Sequence, residues 1–597
     1  MPRTPPTSPA TPRRQEHRPP SRSPASPAER GSALDDHPRR CRAFDGSRPN
    51  IGPDVILSTC IDPGSRIIGD PDHDSRPEPL AETDRMSSLE PPTIHPLLAD
   101  RAAGVLLHPT SLPSTDGAFG IGDLGPTARR FATWAADAGL RRWQMLPIGP
   151  VGDGDCPYSA RSSFAIEPML TSIADLVEDG YLPAAATRIG REDSARDDRG
   201  RASWRRVRRW KRPLLEAAFR GFRARRGRMG LRGAAYEDFR TRQADWLDDW
   251  CRYASAPDRL PGSSTDVDRD PTYHAFLQFI LDRQWSRLRR HARERDLRLI
   301  GDLPIFCAPD SADVESRPDL FRLDRNGDPT VLTGVPPSDD PDDLAQSVWG
   351  ETAVDHGQLW GHPHYKWPAH RSEDWAWWRS RVRTTLERFD LVRIDHFVGF
   401  HNAFEIPRDS SDPRTGRWGR TPGEELLASL TRELGALPFI AEDLGDRTTP
   451  VNHLRDRFGI VGMRILETAF FGTPVAGEEL PHNHPRACAV YPASHDNDTV
   501  AGWYRAIDAD TRRRFSAYAG PSAATDPADT MTRLAFTSPA DTAVVQMQDL
   551  LGLGRRARMN RPGEPTGNWC WRMRRGEATA RLARRLATLA STAERLG

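Results

Sequence analysis

The 597-residue chain exceeds the length at which a single hydrophobic core stops growing, so it needs several domains or one large barrel with insertions. Its 84 basic and 83 acidic residues leave a net charge of +1, which argues against a nucleic-acid partner. No apolar run approaches the roughly 18 residues that span a bilayer, and no apolar stretch of a secretory signal stands at the N-terminus. The seven cysteines, at 41, 60, 156, 251, 307, 488 and 570, lack the paired spacing of a zinc site and fit reduced thiols in a cytoplasmic protein.

Residues 1–95 are rich in Pro, Arg and Ser, with one short apolar stretch at Val55–Leu57. Such a segment buries too little to offset the entropy of ordering. It reads as a disordered extension, or as an overlong start with Met86 as the true initiator. Beyond Pro96 short apolar runs recur, of the kind that form buried parallel strands. They are Ala103–Leu107, Arg142–Leu146, Leu297–Ile300, Leu391–Ile394, Phe439–Ala441, Met463–Leu466, Ala487–Tyr491 and Ala543–Met547. Helical patterns such as Pro126–Ala138 and Trp375–Phe389 lie between them. Eight strand–helix units give an α/β fold, a (β/α)8 TIM barrel, in preference to a doubly wound sheet. Two gaps, about 171–296 and 304–389, exceed one crossover helix and predict inserted, largely helical subdomains at the barrel mouth.

In a barrel the C-terminal strand ends converge on one mouth. Asp302, Asp395, Glu442 and Asp496 each follow a strand-like run, and a shared register of four acids exceeds what helix capping by Asp requires. A metal site is one reading, since Asp496-Asn497-Asp498 offers oxygen ligands, but no dense ligand spacing accompanies it and no metal or cofactor is expected. Glycoside chemistry is the other, in which one carboxylate is the nucleophile and a second, protonated, is the acid. Arg393 lies on the same strand face as Asp395 and is expected to lower its pKa and keep it ionised. Glu442 follows apolar Phe439–Ala441, surroundings that raise its pKa for leaving-group donation.

The runs GVLLHPTSLP (Gly104–Pro113), FGIGDLGP (Phe119–Pro126), IGDLPIF (Ile300–Phe306), VRIDHF (Val392–Phe397), IAEDLG (Ile440–Gly445), HDNDT (His495–Thr499) and ARMNRPG (Ala557–Gly563) occur in that order. Together, from about Leu97 to Met573, they resemble the signature runs of the amylomaltases, or disproportionating enzymes, a family of 4-α-glucanotransferases. The resemblance implies a TIM barrel of the broad α-amylase group and a retaining double displacement on maltooligosaccharides and other α-1,4-glucans. It implies Asp395 as nucleophile, Glu442 as general acid/base and Asp496 as the residue that stabilises the transition state. Arg393 would orient Asp395, His495 and Asp302 would bind sugar hydroxyls, and Tyr158 and Trp360 would line the glucan groove. The chain departs from the family after Pro336-Pro337-Ser338, where an acidic insertion replaces a lid loop, and at Cys156, where Ser is frequent. Transfer is favoured over two alternatives, an α-glucan hydrolase on the same scaffold and a non-catalytic glucan-binding protein.

Overall fold

The computed structural model describes residues 93–596, apart from 114–119, 153, 189–199, 226–230, 263–264, 338–356, 445–448, 473–476 and 565. Nearly all of the expected N-terminal extension, and the acidic insertion that follows Pro337, therefore lie outside the described residues. In chain order the strands are β1 (Ala102–Leu106), β2 (Arg142–Gln144), β3 (Arg298–Leu303), β4 (Val331–Val335), β5 (Gln358–Pro363), β6 (Leu391–Ile394), β7 (Asn402–Pro407), β8 (Arg417–Arg420), β9 (Phe439–Ala441), β10 (Val461–Ile465), β11 (Cys488–Tyr491) and β12 (Thr542–Gln546).

Eight of these close into a barrel in the order β1-β12-β11-β10-β9-β6-β3-β2, every neighbouring pair parallel. They are the eight runs expected from the sequence, with ends that move by a few residues. Strands such as β1, β10 and β12 are buried at every position, which is why they read as continuous apolar runs instead of alternating ones. The crossover helices cover the barrel's outside. The helix Pro126–Asp137 starts on a Pro at its first position and buries Ala128, Phe131, Ala132 and Ala135. Its Phe131 ring meets the edge of Trp143 in β2 at 4.8 Å. Burying such a side chain stabilises the fold by about 1.5–3 kcal/mol.

Between β2 and β3 the chain builds the helices Trp204–Arg225, Leu231–Arg242, Ala244–Ser255 and Pro271–Arg293. Phe222, Tyr236, Phe276 and Phe279 pack as an aromatic cluster among them, with centroids 4.8–5.4 Å apart. Between β3 and β6 lie the helix Ala376–Arg388 and the strands β4 and β5, which join β7 and β8 in an antiparallel sheet ordered β5-β4-β7-β8. That small sheet was not among the expected elements. Among the described residues no helix is long and apolar enough to cross a membrane.

Candidate active site

Strand register assembles the first half of the site. Asp302 in β3 lies directly beside Arg393 in β6, and Ile394 lies beside Ala441 in β9. The next residues, Asp395 and Glu442, thus leave the barrel wall side by side. Backbone bonds from Asp395 N–H to Leu303 O (3.1 Å) and from Glu442 N–H to Ile394 O (3.0 Å) extend the ladder one residue beyond the strands. Gly301 precedes Asp302 because the Phe389 ring occupies the space a Cβ would need, 2.5 Å away. The buried Arg393 guanidinium serves three carboxylates: Nη1 donates to Asp302 Oδ1 at 2.7 Å and to Asp395 Oδ1 at 3.1 Å, and Nη2 stands 3.4 Å from Glu442 Oε2.

The second half comes from loops at the same mouth. His495 and Asp496 lie just beyond β11, with His495 Nε2 at 3.2 Å from Asp496 Oδ2. The Tyr158 hydroxyl donates to Asp302 Oδ2 at 2.7 Å and lies 2.7 Å from His495 Nε2. Because its only proton goes to Asp302, the hydrogen between the two rings belongs to His495 Nε2. The Tyr158 and His495 rings stack at 5.2 Å and 9°. Trp360, on β5, stands edge-on to His396 at 4.7 Å, next in chain to Asp395. All eight residues proposed from the sequence therefore meet, directly or through one neighbour, at one mouth.

Three further residues belong to this assembly. Asn560 donates through Nδ2 to Asp496 Oδ1 at 2.6 Å. Its neighbour Arg558 donates to the main-chain carbonyls of Asp496 and Asn560, both at 2.7 Å. Trp569 adopts a left-handed backbone, φ 57°, and sets its ring 5.6 Å from Tyr158 and 6.1 Å from His495. The signal for Asn560 was available in the ARMNRPG run; nothing local marked Trp569.

Burial pushes the Glu442 carboxyl up to about 8; the charges of Asp395 and Asp496 add to burial, while Arg393 and the His396 N–H oppose it. Burial also pushes Asp395 up to about 6, against the pull of Arg393 and with Asp302 and Asp496 adding to it. The expected pull of Arg393 on Asp395 is present, although the net pKa stands above the ordinary 3.8. The guanidinium is shared by three acids, and desolvation outweighs it. The expected ranking survives, since Glu442 holds its proton to higher pH than Asp395. Burial would raise Asp496 as well, yet His495, the Asn560 amide and Arg393 bring it down to about 2. Asp498, considered as a metal ligand, instead receives Arg555 Nε at 2.6 Å. Among the described residues no group of three or more His, Cys, Asp or Glu side chains is arranged to hold a metal ion. Cys156 is half-buried, and burial pushes its thiol up, so it is neutral beside Tyr158.

A closed parallel barrel whose mouth sets an ionisable carboxylate beside a protonated one carries the pair of groups that enzymes acting on glycosidic bonds use. Comparison with known proteins narrows the class. A family model described as 4-alpha-glucanotransferase matches residues 107–266 and 257–579. The 4-alpha-glucanotransferase of Thermus thermophilus is 38% identical over 523 residues, covering 83% of this chain and 99% of that protein. That of Aquifex aeolicus is 36% identical over 496 residues, covering 79% and 96%. Among solved structures, the amylomaltase from Streptococcus agalactiae in complex with acarbose matches with a TM-score of 0.73 and 29% identity, over 83% of this chain and 99% of that one. The chain belongs to the 4-alpha-glucanotransferase family, glycoside hydrolase family 77, whose members transfer α-1,4-glucan segments.

Proposed function

We propose that this enzyme passes α-1,4-glucan segments to the 4-hydroxyl of an acceptor glucan or glucose by retaining double displacement, on residues assigned as follows. The observation that carries the assignment is the pair Asp395 and Glu442, on adjacent strands under one guanidinium, with the first tuned to about 6 and the second to about 8. At neutral pH Asp395 is ionised and Glu442 protonated. Glu442 gives its proton to the glycosidic oxygen as Asp395 attacks the anomeric carbon, and the reducing-end part of the donor leaves. A glycosyl ester on Asp395 remains. Glu442, now a carboxylate, takes the proton of the acceptor 4-hydroxyl, whose oxygen displaces Asp395.

Asp496, ionised throughout the working range, faces the ring hydroxyls together with His495 and balances charge as the oxocarbenium character develops. Asp302 and Tyr158 complete the wall of the donor sugar, and Trp360 supplies an apolar face to the groove. Maltooligosaccharides and longer α-1,4-glucans are the partners. The cytoplasm is the compartment supported by the cysteines, of which Cys156, Cys251, Cys307, Cys488 and Cys570 are unpaired. A thiol assay on protein taken directly from cells that found these oxidised would count against that placement.

Incubation with maltotriose tests the reaction. Transfer yields glucose with a ladder of longer oligosaccharides. Glucose and maltose without longer products would replace transfer by hydrolysis.

A further inference from the structure

The VRIDHF run contributes Arg393 and Asp395 to the mouth, and its next residue, His396, has an unusual backbone. With φ 52° and ψ 54° it lies in the left-handed region, which a non-glycine residue keeps only where its surroundings hold it there. The conformation changes where the main chain points. A left-handed residue followed by a helical one turns successive N–H groups to the same side, a concavity suited to an anion. Here both address one residue: His396 N–H donates to Glu442 Oε2, and Phe397 N–H donates to the Glu442 main-chain oxygen at 3.0 Å. The turn is closed by Gly399 N–H on His396 O at 2.9 Å.

The imidazole does something different. Its Nε2 is buried and has no hydrogen-bond partner among the described residues, and the ring packs against the Trp360 edge and, at 6.4 Å, near Phe306. Burial brings its pKa down to about 4, so it adds no charge to the site at neutral pH. The groups that face the Glu442 carboxyl are then Arg393 and Asp395 from the end of β6, Asp496 from the loop after β11, and the His396 N–H. Among the described residues both nearby donors, Arg393 Nη2 and His396 N–H, meet Oε2. The proton of the acid is therefore carried on Oε1, the oxygen left for the departing sugar.

We infer that His396 is a positioning residue for the general acid: its left-handed main chain, and not its imidazole, presents the N–H that orients the Glu442 carboxyl. The inference rests on the assignment of Glu442 as acid/base. It separates two kinds of substitution at one position. His396→Gly and His396→Asn tolerate the left-handed backbone and remove only the imidazole. His396→Val, stiff and β-branched, cannot hold it, and loses the N–H bond.

The experiment is the pH profile of kcat/KM on maltotriose for the four enzymes, with α-glucosyl fluoride as a second donor that needs little protonic assistance. His396→Gly and His396→Asn should keep the alkaline limb of the parent and lose less than about tenfold in glucan transfer. His396→Val should move that limb to higher pH, because an N–H to the carboxylate favours its ionised form. Its glucan transfer should fall by about 10- to 100-fold, the range for a hydrogen bond to a charged group, with much less loss on the fluoride. If His396→Val does not fold, His396→Ala takes its place, with a smaller shift of the same sign. Equal limbs in all variants, or a limb that moves as far in His396→Gly as in His396→Val, would overturn the inference. Glu442→Gln, run in parallel, tells the two failures apart. If it keeps the alkaline limb, the assignment of Glu442 is wrong; if it loses the limb while the His396 variants fail to separate, only the role of His396 is.

Discussion

Asp496 accepts a 2.6 Å hydrogen bond from the side-chain amide of Asn560, 64 positions further along the chain. Asn560 N–H in turn donates to His495 O at 3.1 Å, so side chain and main chain are clamped together. The amide fills Oδ1 of Asp496 and leaves Oδ2 to His495. Asn560→Ala should therefore lower kcat about 10- to 100-fold, the loss expected when a charged acceptor gives up its donor, with little change in KM. Steady-state kinetics on maltotriose would check this. Asn560→Asp should cost more at neutral pH, because it sets a like charge against Asp496, and should recover in part as the pH falls.

The carboxyl pair also fixes the pH response. On the proposed roles, Asp395 should be protonated and unable to attack below about 6, and Glu442 should have lost the proton it donates above about 8. The profile of kcat/KM should be a bell between those values. Stability should run the other way. Both groups have folded pKa values above their ordinary 3.8 and 4.5, so the contribution of their neutral forms is fully present below about 4. It is lost as the pH rises through about 6 for Asp395 and about 8 for Glu442. Asp395→Asn, which cannot ionise, should thus melt at a higher temperature than the parent at pH 8 while being inactive. A lower melting temperature across the whole range would contradict the burial cost assigned to Asp395.

Trapping separates the two acids. Asp395→Asn should lose more than about a thousandfold in transfer, as covalent nucleophiles do when removed. Glu442→Gln given α-glucosyl fluoride should form the ester on Asp395 and then stall, for want of a base to activate the acceptor. Intact-protein mass spectrometry should find one added glucosyl unit on the Glu442 variant and none on the Asp395 variant. An adduct mapped to another residue would displace Asp395 as nucleophile.

The barrel was legible because its strands are buried on both faces, so that Ala102–Leu106 or Thr542–Gln546 stand out as apolar runs against polar loops. The acids were legible because each follows such a run. The small sheet was not: β8 is only Arg417–Arg420, exposed at most positions, and its pairing with β7 is set by tertiary contact and not by pattern. Asn560 and Trp569 reach the mouth from a loop with no periodicity, and the left-handed position in the turn after Asp395 is a histidine, with no glycine there to announce it. The pKa of Asp395 went the other way for a related reason. Sequence places Arg393 two residues off, but says nothing of the water removed or of the other carboxylates that share the same cation.

The two acids proposed to react follow hydrogen-bonded neighbouring strands, tied by Asp395 N–H to Leu303 O and Glu442 N–H to Ile394 O. Their spacing is consequently a property of the barrel's own ladder, and the pair cannot drift apart unless the wall unzips. On warming, the spacing of Asp395 and Glu442 should therefore persist until the barrel itself opens, whereas the loop-borne Asp496 and its partner Asn560 have no such ladder to hold them.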